Sequence, residues 1–206
     1  MVTIYDIKPK FQALLRPIVD KFAKAGVTAN QVTLAAMTLS LFTGLALVVF
    51  HEYTLILMIV PLVMFIRMAL NAIDGMLAKE HHMKTSLGTI LNELGDVVSD
   101  TFLFIPFVFF EGFPLAFIIA VIILSIISEM TGVLGEVIGA SRRYDGPMGK
   151  SDRAFVFSVL AIIACFNVTN SLFYSIVFLI MTTLIVLNIF NRIQRALQEL
   201  NEKGAA

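Results

Sequence analysis

Between Asn71 and Asp96 the chain reads Asn-Ala-Ile-Asp-Gly-Met-Leu-Ala-Lys, then eight residues, then Gly-Thr-Ile-Leu-Asn-Glu-Leu-Gly-Asp. Polar and acidic side chains are thereby set into two otherwise apolar segments. A carboxylate at membrane depth is strongly unfavourable unless it is paired or holds a cation, so Asp74, Asp96 and Asp100 point to chemistry before packing. Successive helical residues turn by about 100°, which puts Asn71 and Asp74 on one stripe with Arg67 and Ala78. Gly88, Asn92 and Asp96 share a stripe on the next segment, with Asp100 a turn further. In an antiparallel hairpin, Asp74 and Asn92 fall at one depth, about 8 Å in, and Asn71 and Asp96 at a second, about 14 Å in. Carboxylates and amide oxygens at matched depths suit a hard divalent cation, Mg2+ or Mn2+, and not Zn2+. Gly75, Ala78 and Gly88 are small enough to let two helix backbones approach. Interhelical hydrogen bonding is the alternative role for Asn71 and Asn92. His51 belongs to a distal loop and His81-His82 to a turn, where solvation and not ligation is expected.

The setting is a membrane. Of 206 residues, 58% are hydrophobic and 15% charged, and the mean hydropathy is +0.90, far from a soluble domain. Apolar runs able to cross about 30 Å of hydrocarbon are predicted over 29–50, 53–79, 87–110, 114–140, 154–166 and 172–193. The fifth reaches full length only if its helix starts near Lys150. The expected fold is all-α and polytopic: six transmembrane helices (27–195) after an interfacial amphipathic helix (1–26), with a short tail (196–206), in one membrane domain.

The formal net charge is zero, but its distribution is lopsided. Lys and Arg gather before the first span, around Lys79 and Lys84, between Arg142 and Arg153, and at the C-terminal end. Apart from Lys79 and Arg192 at span ends, only Arg67 falls inside a span, which predicts both termini and the polar site on the cytoplasmic side, in a bacterial inner membrane. Ile4, Ile7, Phe11, Leu14, Leu15, Ile18 and Phe22 share one face of an N-terminal helix whose other face carries lysines, as in a helix lying on the inner leaflet. Thr28 and Asn30 are the expected caps of the first span. Cys165 is alone, an apolar filler.

The Asn71–Asp96 segment resembles the signature of the CDP-alcohol phosphatidyltransferase family, Asp-x2-Asp-Gly-x2-Ala-Arg-x8-Gly-x3-Asp-x3-Asp. The spacing matches throughout, with Asn71 and Asn92 at two aspartate positions and Lys79 at the arginine. Thr28-Ala29-Asn30-Gln31-Val32-Thr33 is similar to the Pro-Asn-x-x-Thr that opens the first span in many relatives. The resemblance implies a divalent-metal-dependent enzyme of phospholipid biosynthesis, usually a homodimer. It transfers a phosphatidyl group from a CDP-linked lipid to an unknown alcohol acceptor and releases CMP, with no nucleic-acid partner. By that match Asp96 is the catalytic base and also a metal ligand, and Asp74, Asn71 and Asn92 hold metal. Lys79 steadies phosphate as a point charge where an arginine would make a fork.

Lys150 and Arg153, at the start of the fifth span, are expected phosphate contacts on a basic rim with Arg142 and Arg143; positive-inside anchoring explains the arginines equally well. Asp100, Arg67 and Glu129 are expected to support the site from behind. Asp100 is a reserve ligand, Arg67 the expected partner of Glu129, and the basic rim the partner of Glu136. A relative that has lost catalysis and a transporter with buried acids remain as alternative functions.

Overall fold

The computed structural model describes the backbone of residues 4–204 and the side chains of residues 10–204. Seven α-helices run in chain order: α1 (Ile4–Lys24), α2 (Ala29–Val49), α3 (Ile59–Glu80), α4 (Ser86–Phe104), α5 (Leu115–Val137), α6 (Lys150–Cys165) and α7 (Ser171–Gly204). Two single turns of 3-10 helix, Thr54–Met58 and Ile105–Phe109, precede α3 and follow α4. Pro106 explains the second, because it has no N–H to continue the α-helical ladder. No strand occurs among the described residues.

Four stretches are long and apolar enough to cross a membrane: Ala29–Val49, Thr54–Glu80, Leu115–Val137 and Ser171–Gly204. The sequence predicts six. The other two helices fall short for identifiable reasons: α4 carries Glu93, Asp96 and Asp100 within 19 residues, and α6 has only 16 residues even though it does start at Lys150. Large apolar side chains are exposed along the bundle, among them Leu62, Phe65 and Met68 on α3 and Ile119, Ile123 and Met130 on α5. Such a surface is stable against lipid and not against water.

Local chemistry fixes the helix starts. Thr28 Oγ accepts from the Gln31 amide at 3.3 Å while Gln31 Oε1 accepts from the Thr28 amide at 2.9 Å, a reciprocal capping box. Asn30 is not a cap. Its amide donates to Thr85 Oγ1 at 3.3 Å, and Thr85 itself caps α4 by accepting from the Gly88 amide at 2.9 Å.

Packing puts α2 against α3 and α4, α6 against α3, and α5 along α7. Gly44 lies so close to α4 that a Cβ would strike the Phe102 carbonyl. There are two apolar clusters. The larger includes Leu47, Val60, Leu103, Phe107, Phe157 and Phe178; the smaller joins Leu15 and Val19 of α1 to Val32, Ile73, Met76 and Leu77. Leu14 and Ile18 stay exposed on α1; the side chains of Ile4, Ile7 and Lys8 lie outside the described residues. Along α3 the two clusters are separated by Arg67 and Asn71, and there the polar site is built.

Candidate active site

The α3–α4 hairpin does place its two polar stripes face to face. Asn71 Nδ2 donates to Asp96 Oδ1 at 3.2 Å, the depth match expected for those two residues. The ammonium of Lys150, first residue of α6, lies on the same Asp96 carboxylate. Asp74, 5% exposed, accepts from Thr33 Oγ1 of α2 at 2.8 Å. Three helices and the start of a fourth therefore meet around two carboxylates. Among the described residues neither Asp74 nor Asn92 hydrogen-bonds to the Asn71–Asp96 pair.

The small residues divide by role. A Cβ on Gly88 would meet Asn30 Oδ1 at 2.5 Å, so Gly88 admits the first turn of α2. Ala78 packs on the α1 cluster. Gly75 differs: nothing lies within 4 Å of where its Cβ would be. Helix packing does not need a glycine there, and its open side adjoins Asp74.

Behind this pair lies an ion network. Arg67 donates to Asp100 at 2.9 Å, and Arg153 approaches the other Asp100 oxygen at 3.5 Å. Arg153 also donates to Glu129 at 3.0 Å and to the Met148 carbonyl at 3.2 Å. Glu129 is further held by Arg192 at 3.3 Å and by Arg142 at 3.0 Å, and Arg142 completes a fork on Glu93 at 2.8 and 3.0 Å. Burial works against the charged form of Arg142, yet the hydrogen bonds and charges of Glu93 and Glu129 outweigh it and raise its pKa above the ordinary arginine value.

Four expectations change as a result. Arg67 pairs with Asp100 and not with Glu129, because α4 is its neighbour across the hairpin. Asp100 is engaged by two guanidinium groups and so is not a reserve metal ligand. Arg153, 1% exposed, is buried among carboxylates and does not stand on a rim facing phosphate. Glu136 is exposed, whereas Arg142 and Arg143 turn elsewhere, Arg143 to Asp145 and Glu199 at 2.7 Å each.

Thr33, Glu93, Asn188 and Arg192 belong to the site although spacing on the α3–α4 hairpin does not reveal them. Thr33 stood in the first-span motif, and a signal existed for the last two as well. They lie four residues apart in an apolar run and are both buried. Asn188 accepts from Ser128 Oγ and donates to the Pro147 carbonyl, each at 2.8 Å. That second bond holds the 140–149 loop against α7. Gly146 makes it possible, with φ +101 and a hydrogen where a Cβ would lie 2.9 Å from Asn188 Cα.

The oxygen donors around the hairpin are of the type a divalent cation would use. Asp74 and Asp96 supply carboxylates, and Asn71 and Asn92 supply amides that present a carbonyl when turned. The open side of Gly75 lies next to Asp74 along the helix. Oxygen donors of this kind are those a hard divalent ion takes. Among the described residues no group of three or more His, Cys, Asp or Glu side chains converges on a metal position.

Apolar helices enclosing a polar, ion-paired site define an integral membrane protein. The chain belongs to the CDP-alcohol phosphatidyltransferase family, whose model matches residues 26–194. It is 49% identical over 158 residues to the inner membrane protein YnbA of Escherichia coli (strain K12), covering 77% of this chain and 78% of that one. A protein of Aquifex aeolicus (strain VF5) is 33% identical over 94 residues, 46% of this chain and 45% of its own. The fold is that of Mycobacterium tuberculosis phosphatidylinositol phosphate synthase (PgsA1). Its complex with manganese and citrate superimposes with a TM-score of 0.71 at 19% identity, over 87% of each chain. Its CDP-DAG complex gives the same score and identity over 87% of this chain and 92% of that one.

Proposed function

We propose that this protein transfers a phosphatidyl group from a CDP-linked lipid, such as CDP-diacylglycerol, to an alcohol, releasing CMP. The observation that carries this reading is the meeting of Asn71 and Asp96 across the α3–α4 hairpin, next to Asp74 and the open side of Gly75, in a chain of this family. The six-span arrangement completes the picture, with α4 and α6 spanning as amphipathic members shielded by the other four. Both termini and the site face the cytoplasm, and the protein pairs as a homodimer in the bacterial inner membrane.

Asp74 and Asp96, with Asn71 and Asn92, would hold one Mg2+ or Mn2+. When bound, such an ion neutralises the donor's diphosphate and makes the β-phosphorus more electrophilic. Asp96 accepts the proton of the acceptor hydroxyl as that oxygen attacks the β-phosphorus. The bond to the CMP oxygen breaks, and CMP leaves with the electron pair. Asp96 then returns its proton to water. Its carboxylate is first released from Lys150, whose ammonium is drawn to the incoming diphosphate, the more highly charged partner. Lys79, exposed at the end of α3, adds a second point charge. The missing side chain at Gly75 leaves room for the nucleotide beside Asp74.

Purified protein supplied with CDP-diacylglycerol, Mn2+ and a panel of alcohols should release CMP in a metal-dependent manner. Donor binding without CMP release for any alcohol would favour a relative that has lost catalysis, a reading supported by the pairing of the base Asp96 with Lys150.

A further inference from the structure

We infer that α1 reads the charge of the inner leaflet: its uncovered flank docks on anionic phospholipid headgroups, and its covered flank passes that contact to the Asp74 turn of α3. The second half, regulation of the site, rests on the proposed transferase reading. The apolar arc of α1 is wider than the protein covers. Leu15 and Val19 are buried, and Phe11 and Phe22 pack partly on the same cluster, against Ile73, Met76 and Leu77 of α3. Leu14 and Ile18, on the adjoining strip, are 73% and 41% exposed. The charges of α1 sort in the same way. Arg16 forks onto Glu80 at 2.8 and 3.2 Å, and Asp20 faces His81 at 3.4 Å, so the flank toward the end of α3 is ion-paired. Lys10, Lys21 and Lys24 are exposed, and among the described residues none of them approaches a carboxylate. At about 100° per residue, Lys10 and Lys21 fall within about 40° of Leu14.

Exposed apolar side chains beside unpaired ammonium groups suit a lipid surface: the first enter the acyl boundary while the lysines reach phosphate oxygens. The chain already holds α1 at that boundary, because only residues 25–28 separate it from the apolar helix α2. A zwitterionic leaflet meets the apolar half of this flank. An anionic one also meets the lysines, and each lysine near such a surface strengthens binding by about fivefold. The covered flank supplies the link to the site. Ile73 and Met76, on which α1 leans, bracket Asp74 and Gly75 in the chain. An anionic leaflet that holds α1 in its seat therefore supports the turn carrying Asp74 from behind.

The test uses the full chain reconstituted in phosphatidylcholine vesicles with and without phosphatidylglycerol. A polarity-sensitive fluorophore is attached through Ala25→Cys in a Cys165→Ser background; Ala25 is exposed and continues the helical bonding of α1 onto the Lys21 carbonyl at 3.0 Å. Phosphatidylglycerol should move the label to a more apolar environment, and added salt should reverse the shift, as screening requires. Replacing Lys10, Lys21 and Lys24 together by Gln should abolish the response, replacing them by Arg should keep it, and Leu14→Gln should weaken it. CMP release by the wild type should be about fivefold or more faster in the anionic vesicles, with no such gain in the triple Gln variant. A label indifferent to phosphatidylglycerol, or one that responds equally in the triple Gln variant, would overturn the docking surface. A shift that follows protein density in phosphatidylcholine alone would place a second copy on this flank and overturn it as well. A label that responds while CMP release does not would overturn the link to Asp74. If no vesicle supported CMP release, the transferase reading would fail, while the label would still decide whether α1 docks on anionic lipid.

Discussion

The Lys150 ammonium rests on the carboxylate of Asp96, tying the first residue of α6 to the middle of α4. The proposed base is thus held by a cation before the donor binds. Lys150→Met should free Asp96 and remove a phosphate contact at once, so the KM for CDP-diacylglycerol should rise more than kcat falls. Steady-state CMP release separates the two constants. A fall in kcat alone would remove Lys150 from donor binding.

Asp96→Asn should abolish turnover and keep the fold. The amide nearly matches the carboxylate in shape but does not take up the hydroxyl proton, and loss of a general base lowers rates by about 10² to 10⁴. Full activity in this variant would assign the base elsewhere.

Asn71→Asp and Asn92→Asp should each tighten Mn2+ binding, because each adds a full charge within a few ångströms of the ion. The measurement is metal-dependent thermal stabilisation, which requires no turnover. If neither the single variants nor the pair moved it, both asparagines would be interhelical contacts and the metal would rest on Asp74 and Asp96 alone.

Gly75→Ala and Gly44→Ala make a contrasting pair. At Gly44 the added methyl meets the Phe102 carbonyl, and overpacking of this type destabilises by about 1–3 kcal/mol. At Gly75 it meets nothing within 4 Å, so the melting temperature should hold while donor affinity falls. Unchanged activity in Gly75→Ala would show that the open side of Gly75 holds no substrate.

Arg153→Met should be the most disruptive of these changes. Arg153 bridges Asp100 and Glu129 at 1% exposure, and removing one partner of a buried charge pair typically destabilises by about 3–5 kcal/mol. Thermal unfolding in detergent reads this directly, and adding Glu129→Gln to Arg153→Met should recover part of the loss.

The helical stripes of Asn71 and Asp96 could be read from the chain because periodicity fixes which residues share a face. So could the start of α6 at Lys150, because the apolar run after it is too short for a span on its own. Partners across helices were not legible. Arg67 and Glu129 are both polar residues in apolar helices, and no spacing says that α4 and not α5 faces Arg67. Glu129 takes its cations from positions 142, 153 and 192, which only the packing of α5 along α7 and the fold of the intervening loop bring together. Thr33 stood in the motif that opens the first span, but its partner Asp74 becomes visible only once α2 lies beside α3. Asn188 and Arg192 were legible in principle, since their four-residue spacing marks a buried stripe.

The last helix has 34 residues, about 51 Å at helical rise, against a hydrocarbon layer of about 30 Å. Roughly two-fifths of its length exceeds that layer, and at its C-terminal end Glu199 grips Ser141 and Arg143 while Lys203 reaches the Gly139 carbonyl. The loop leading into Lys150 is accordingly splinted by a rod that the bilayer does not touch. A thinner or thicker membrane would tilt the spans, whereas this splint would keep its length and carry the loop along with it. The aqueous lip of the site should thus hold its shape across bilayers that deform the apolar bundle beneath it.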